Sequence, residues 1–328
     1  MIPRWLAAVF VLNSLCVSAA QAAAPQEQQF KSLDGTPIKA WLFQPEPKPG
    51  AQPVGAQAAI AQPTTPQAPG EKLATVVAMH GCGGLYASAG PRKGLLNARH
   101  QMAADALTAQ GYAVIFPDSL TPRGVSSICA VRGRLRTVAQ PERRADALAA
   151  LQWVRAQPWA DPTRVALLGW SHGGSAVLSS TDANQRDVKS IAPFKTAIAF
   201  YPGCGEAVRA LYRPAAPLHM FLGADDDWTP PGPCVDLATH LQRLAQAGQS
   251  LPVQFTLYPG AVHGFDDVGD RPPRERTDVP SRLHPGKGVM VGSNPAAREA
   301  AWARVAEVLR EALGPVPVPS ATNPAPKP

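Results

Sequence analysis

The sequence predicts an α/β protein, a mostly parallel, twisted sheet with helices on both faces and an antiparallel hairpin at its N-terminal end. Three observations predict it. Short, largely apolar runs recur at 74–79, 112–116, 164–168, 197–200 and 218–222, separated by helical or polar segments. Strands without polar alternation belong in a sheet covered on both sides, as parallel strands joined by helices are. Near the start, residues 29–33 and 38–43 flank Asp34-Gly35, a pair suited to a tight turn.

In chain order, the hairpin is followed by the strand at 74–79, a helix near 98–110 and the strand at 112–116. A helix over 141–156 places Ala147, Leu151 and Val154 on one face. The strand at 164–168 runs into a glycine-rich turn and a further helix. Strands at 197–200 and 218–222 come next, then a helix near 233–248 and a strand at 253–258. A last helix, 295–313, has Asn294 as N-cap, Pro295 in its first turn and Gly314 just past its end. Trp302, Val305, Leu309 and Leu313 form its apolar stripe. Residues 266–293 are polar and are expected to be irregular, flanking or covering a site.

Residues 1–22 have the pattern of a signal peptide: Arg4, an apolar core over 5–17, and Ala20-Gln21-Ala22 for cleavage. The core is too short for a membrane span. A periplasmic or secreted chain follows, with 23–314 as a single α/β domain. Of the 36 prolines, many fall in two Pro-rich stretches, 45–70 and 315–328. These are expected as a flexible insertion and a disordered tail.

Outside the leader four cysteines remain, an even number in an oxidising compartment. Three pairings are open. Cys204–Cys234 is favoured because both residues follow neighbouring strands, which leaves Cys82–Cys129. No spacing matches a metal site, and no cofactor is expected. The formal net charge is +7, with arginines gathered at 123, 132, 134, 136, 143 and 144. Arg123, just after a strand, is a candidate to meet an anionic part of a substrate. Few aromatics and no known module argue against nucleic-acid binding.

The chemistry is written in Gly169-Trp170-Ser171-His172-Gly173-Gly174, directly after an apolar strand. A serine hydroxyl needs a base beside it and a backbone that presents it. In a tight strand-to-helix turn, glycines at 169, 173 and 174 make room for neighbouring backbone. An acid and a histidine should follow, each beyond a later strand. The run at 218–222 leads to Asp225-Asp226-Asp227-Trp228-Thr229-Pro230, and the strand at 253–258 leads to His263-Gly264-Phe265. His284 is the fallback base. The developing oxyanion needs two backbone donors, expected at His172, after the nucleophile, and at Cys82 in His80-Gly81-Cys82-Gly83-Gly84. Trp170 and Trp228 are candidate pocket residues.

These motifs together resemble the α/β-hydrolase fold and, within it, the dienelactone hydrolase family, over roughly residues 30–313. The resemblance implies Ser171 as nucleophile, His263 as base and, four positions before Pro230, Asp226 as acid. The family's founding members carry cysteine where this chain has Ser171, which favours ordinary carboxylic ester hydrolysis over the unsaturated lactone. A small-molecule ester is then the expected partner. Two other readings use the same residues: a serine peptidase of the same fold, and a binding module without turnover. No propeller repeat is present to gate large substrates, which ranks peptides second.

Overall fold

The computed structural model describes residues 24–46, 72–131 and 133–314. The signal-peptide residues, most of the Pro-rich insertion and the Pro-rich tail lie outside them. Eight strands form the main sheet: β1 (Gln26–Lys31), β2 (Pro37–Phe43), β3 (Leu73–Met79), β4 (Ala113–Pro117), β5 (Ala160–Trp170), β6 (Thr196–Phe200), β7 (Leu218–Gly223) and β8 (Val253–Tyr258). Their order is β1-β2-β4-β3-β5-β6-β7-β8. β1 and β2 pair antiparallel, β2 is antiparallel to β4, and every later pairing is parallel. At the first turn Gly35 takes φ 88° and Asp34 Oδ1 accepts the Thr36 N–H at 2.9 Å.

Because successive side chains point to opposite faces, the uniformly apolar strands feed two cores. Val77 and Met79 of β3 face one, with helices α2 (Gln140–Arg155), α3 (His172–Ser180) and α6 (Gly232–Gln246). Val76 and Ala78 face the other, with α1 (Ala98–Ala109) and α7 (Pro295–Leu313). Asn294 caps α7 as expected, accepting the Ala297 N–H at 3.1 Å. The two five-residue helices α4 (Arg186–Ser190) and α5 (Gly205–Arg209) sit in loops that carry no sequence signal long enough to announce them.

Residues 266–293 depart from expectation. They contain an antiparallel hairpin, β9 (Arg274–Pro280) and β10 (Gly288–Val291), with a bulge between Gly288 and Val289. Val279 and Val289 bury themselves in a third cluster with Cys82, Cys129, Leu120, Ile128 and Val138. The hairpin therefore closes over the loops at the carboxyl end of the sheet. Both expected disulfides, Cys82–Cys129 and Cys204–Cys234, are formed.

Candidate active site

β5 delivers Ser171 to the sheet's end in a backbone state few side chains adopt, φ 54° and ψ −116°. The turn is possible because positions 169, 173 and 174 around it lack side chains. A Cβ on Gly169 would strike Gly173 backbone, and one on Gly173 would strike Met79 and His80 carbonyls. At Gly174 it would lie 2.8 Å from the Phe200 oxygen. Ser171 donates its own N–H to Phe200 O at 2.9 Å, and its carbonyl takes the first bond of α3 from Ser175 at 2.8 Å.

His263, beyond β8, places Nε2 2.9 Å from Ser171 Oγ, and its Nδ1 lies 2.8 Å from Asp226 Oδ2. Asp226 and His263 are both buried, at 2% and 4% exposure. With Nδ1–H donated to the carboxylate, Nε2 is left to accept from the serine. Gly223 at the end of β7 is needed for this meeting, since a Cβ there would collide with the Ala261 carbonyl.

The three aspartates do three different things. Asp225 is exposed. Asp226 Oδ1 accepts the N–H groups of Trp228 and Thr229 at 2.9 and 2.8 Å, which turns its other oxygen to His263. Asp227 Oδ1 accepts the Met290 N–H from the hairpin at 2.7 Å. Thr229 is a site residue that the sequence reading missed. Its Oγ1 lies 2.9 Å from Asp226 Oδ2, 3.0 Å from His263 Nδ1 and 3.0 Å from the Tyr201 carbonyl. The Asp-x-x-Thr spacing, a side chain capping backbone three residues on, is the signal that could have found it.

The loop after β3 lies against the elbow. A Cβ on Gly81 would stand 3.4 Å from Trp170 O and 3.7 Å from Ser171 Cβ. Cys82 N–H donates to no backbone carbonyl among the described residues. His172 is the first residue of α3, where an N–H has no partner within the helix. The loop is held from behind: Arg143 Nη2 donates to His80 O at 2.6 Å, His80 Nε2 accepts the Ser119 N–H at 3.2 Å, and Cys82 is tied to Cys129. Burial, reinforced by Arg143, pushes the His80 imidazole well below its usual range. Burial, partly offset by Asp146 and Asp118, likewise lowers Arg143 to about 10.

Other expected site residues fall elsewhere. Arg123 does not wait for a substrate anion: it holds both oxygens of Asp146 at 2.9 Å and Asp34 Oδ2 at 2.7 Å. The two acids lie 23 and 89 positions from Arg123 in the chain and meet it only in the fold, so the basic loop looks freer in sequence than it is. Arg144 is likewise bound, to Asp187 at 2.7 Å. Trp170 is fully buried, donating Nε1–H to Asp266 Oδ2 at 2.8 Å and stacked on Phe200, so it lines no pocket. His284 sits exposed at the hairpin tip. Trp228 does stand beside the site, its ring 4.6 Å from that of His263 with Arg276 5.1 Å above its face.

The strand-to-helix turn at Ser171 and the loops that carry Asp226 and His263, at the carboxyl ends of β5, β7 and β8 of a mostly parallel sheet, make this an α/β-hydrolase fold. The chain belongs to the dienelactone hydrolase family, whose model matches residues 58–313. Among solved structures it resembles a dienelactone hydrolase-like promiscuous phosphotriesterase from metagenomic libraries, with a TM-score of 0.57 at 19% identity, covering 90% of this chain and all of that one. It also resembles Thermogutta terrifontis esterase 2 phosphorylated by paraoxon, with a TM-score of 0.56 at 17% identity, covering 89% and 96%. A Mycobacterium tuberculosis puromycin-hydrolysing peptidase gives a TM-score of 0.56 at 20% identity, covering 94% of this chain but 42% of that one. No curated protein matches. At these identities the structural likeness speaks for the fold alone.

Proposed function

We propose that the chain is a periplasmic or secreted serine hydrolase that cleaves carboxylic esters through an acyl-enzyme. The observation that carries this is the unbroken chain Ser171 Oγ to His263 Nε2 to Asp226, at 2.9 and 2.8 Å. Ser171 Oγ attacks the acyl carbon as its proton passes to His263 Nε2, and Asp226 holds the tautomer and steadies the imidazolium. The carbonyl oxygen, now negative, faces the Cys82 and His172 N–H groups. His263 returns the proton to the departing alkoxide. A water, deprotonated by the same nitrogen, then splits the acyl-enzyme and regenerates Ser171. Two disulfides and the absence, among the described residues, of a helix long and apolar enough to cross a membrane are compatible with an exported chain.

The test is turnover of p-nitrophenyl esters of increasing acyl length by the oxidised protein, with Ser171→Ala beside it. The variant is expected to lose roughly 10⁴- to 10⁶-fold in kcat. A fluorophosphonate should label Ser171 in the parent and not in the variant. Ester turnover that survives in Ser171→Ala would refute the assignment. Labelling without turnover would keep the nucleophile and shift the search to other acyl or phosphoryl substrates.

A further inference from the structure

Three residues beyond His263, the chain buries a second carboxylate. Asp266 is wholly buried between Trp170 and Tyr201, yet it is fully engaged. Its Oδ2 accepts the Trp170 indole N–H at 2.8 Å, and its Oδ1 accepts the Tyr201 hydroxyl at 2.5 Å. Arg99, reaching from α1, brings Nε within 3.1 Å of the same Oδ1 and Nη2 within 3.6 Å of Asp267. An apolar side chain of equal size would cost less to bury than this ion pair. What the carboxylate adds is a fixed geometry for its two donors.

Those donors reach the two other loops of the proposed site. Trp170 is the chain neighbour of Ser171. Tyr201, itself at φ 35°, sets its ring 4.7 Å from that of His263 and offers its carbonyl to Thr229 Oγ1, which lies against Asp226. Burial holds the Tyr201 phenol well above its usual range, so it remains a donor throughout. We propose, resting on the hydrolase reading, that Asp266, with Arg99 as its counterion, is a positioning residue. Its two bonds register the nucleophile loop and the acid loop against the histidine loop that carries it. It touches no substrate; it acts through Trp170 and Tyr201.

The test uses the full oxidised chain. Asp266→Asn keeps the shape and one acceptor but removes the charge, and Tyr201→Phe removes a single donor. Asp266→Asn with Arg99→Gln restores charge balance. Fluorophosphonate labelling of Ser171 and kcat on the best p-nitrophenyl ester should fall about 10- to 100-fold in Asp266→Asn with KM within about twofold, the signature of displaced reacting groups. The charge-balanced double variant should recover part of that loss. Labelling within twofold of the parent, in a variant whose near-ultraviolet circular dichroism is unchanged, overturns the proposal. Should Asp266→Asn fail to fold, Tyr201→Phe decides: slower labelling supports it, and an unchanged rate overturns it. The downfield proton resonance of His263 Nδ1–H gives a readout that needs no turnover. If the parent neither labels nor turns over, the hydrolase reading falls. A resonance displaced in Asp266→Asn then still supports the positioning role, and an unmoved one refutes it.

Discussion

Asp227 Oδ1 accepts the backbone N–H of Met290 at 2.7 Å, so the residue next to the proposed acid anchors the β9–β10 hairpin. The same hairpin runs beside the histidine loop, where Gly292 N–H donates to His263 O at 3.3 Å. It also carries Arg276 over Trp228. One buried carboxylate thus ties a cover of otherwise polar sequence to the rim of the site.

Removing that anchor should loosen the cover without touching the reacting groups. A hydrogen bond to a charged acceptor contributes roughly 1.5–3 kcal/mol. Asp227→Ala is therefore expected to speed amide exchange at Met290 and Val291 by about tenfold or more, and to raise KM more than it lowers kcat. Exchange at these amides equal to the parent's would sink the anchoring role.

The Cys82–Cys129 disulfide closes a loop of 47 residues and holds the residue whose N–H is proposed to face the oxyanion. Chain entropy over such a loop corresponds to about 4 kcal/mol, and measured values usually run lower. Cys129→Ser should lower both the melting temperature and kcat. The matching change at Cys234, whose partner Cys204 packs in the core beside Met220, should lower the melting temperature alone. Equal catalytic losses from the two would argue that Cys82 acts only through stability.

What was legible beforehand follows from where the information sits. The central strands β3, β4, β6 and β7 announced themselves because they are buried on both faces, and the elbow because its glycines answer real backbone collisions. Strand ends and chain order single out Ser171 and His263 as candidates, whereas Asp226 needs the family's spacing to be told from Asp225 and Asp227. The hairpin was hidden because Arg274-Glu275-Arg276-Thr277-Asp278 is polar on both faces, and of its apolar side chains Val279 and Val289 are the buried ones. Arg123 was misjudged for a different reason. Its partners are supplied by tertiary structure, Asp34 from the first hairpin and Asp146 from α2, and no local pattern records them.

Arg143 offers a clean separation of stability from catalysis. It is fully buried, its Nη2 bonds His80 O, and its Nε and Nη1 have no hydrogen-bond partner among the described residues. Replacing an incompletely paired buried charge by an apolar chain of similar length is often close to neutral for folding. Arg143→Met is expected to stay within about 1–2 kcal/mol of the parent in urea unfolding. With the proposed oxyanion loop freed at His80, kcat should drop by about tenfold or more. A large loss of stability with kcat preserved would reverse that assignment.

Acid should unfold the protein through its buried histidines before its carboxylates matter. Burial pushes His100 down to about 3 and His219 to about 4, and lowers His80 and His172 as well, all from an ordinary 6.5. Below 6.5 the unfolded chain binds protons at these positions and the folded chain does not, so stability falls as pH drops from about 6.5 toward 3. Asp34 and Asp161, held at about 2 against an ordinary 3.8, contribute above 3.8 and lose that contribution as pH falls from 3.8 through 2, overlapping only the acid end of the histidine window. Each neutral histidine adds a slope of up to about 1.4 kcal/mol per pH unit. His100 donates Nδ1–H to Leu85 O at 3.1 Å, a bond that a glutamine can replace without a titrating group. Urea unfolding of His100→Gln between pH 6 and 4 should therefore show a pH slope reduced by about that amount, and a slope equal to the parent's would mean that His100 is not buried neutral.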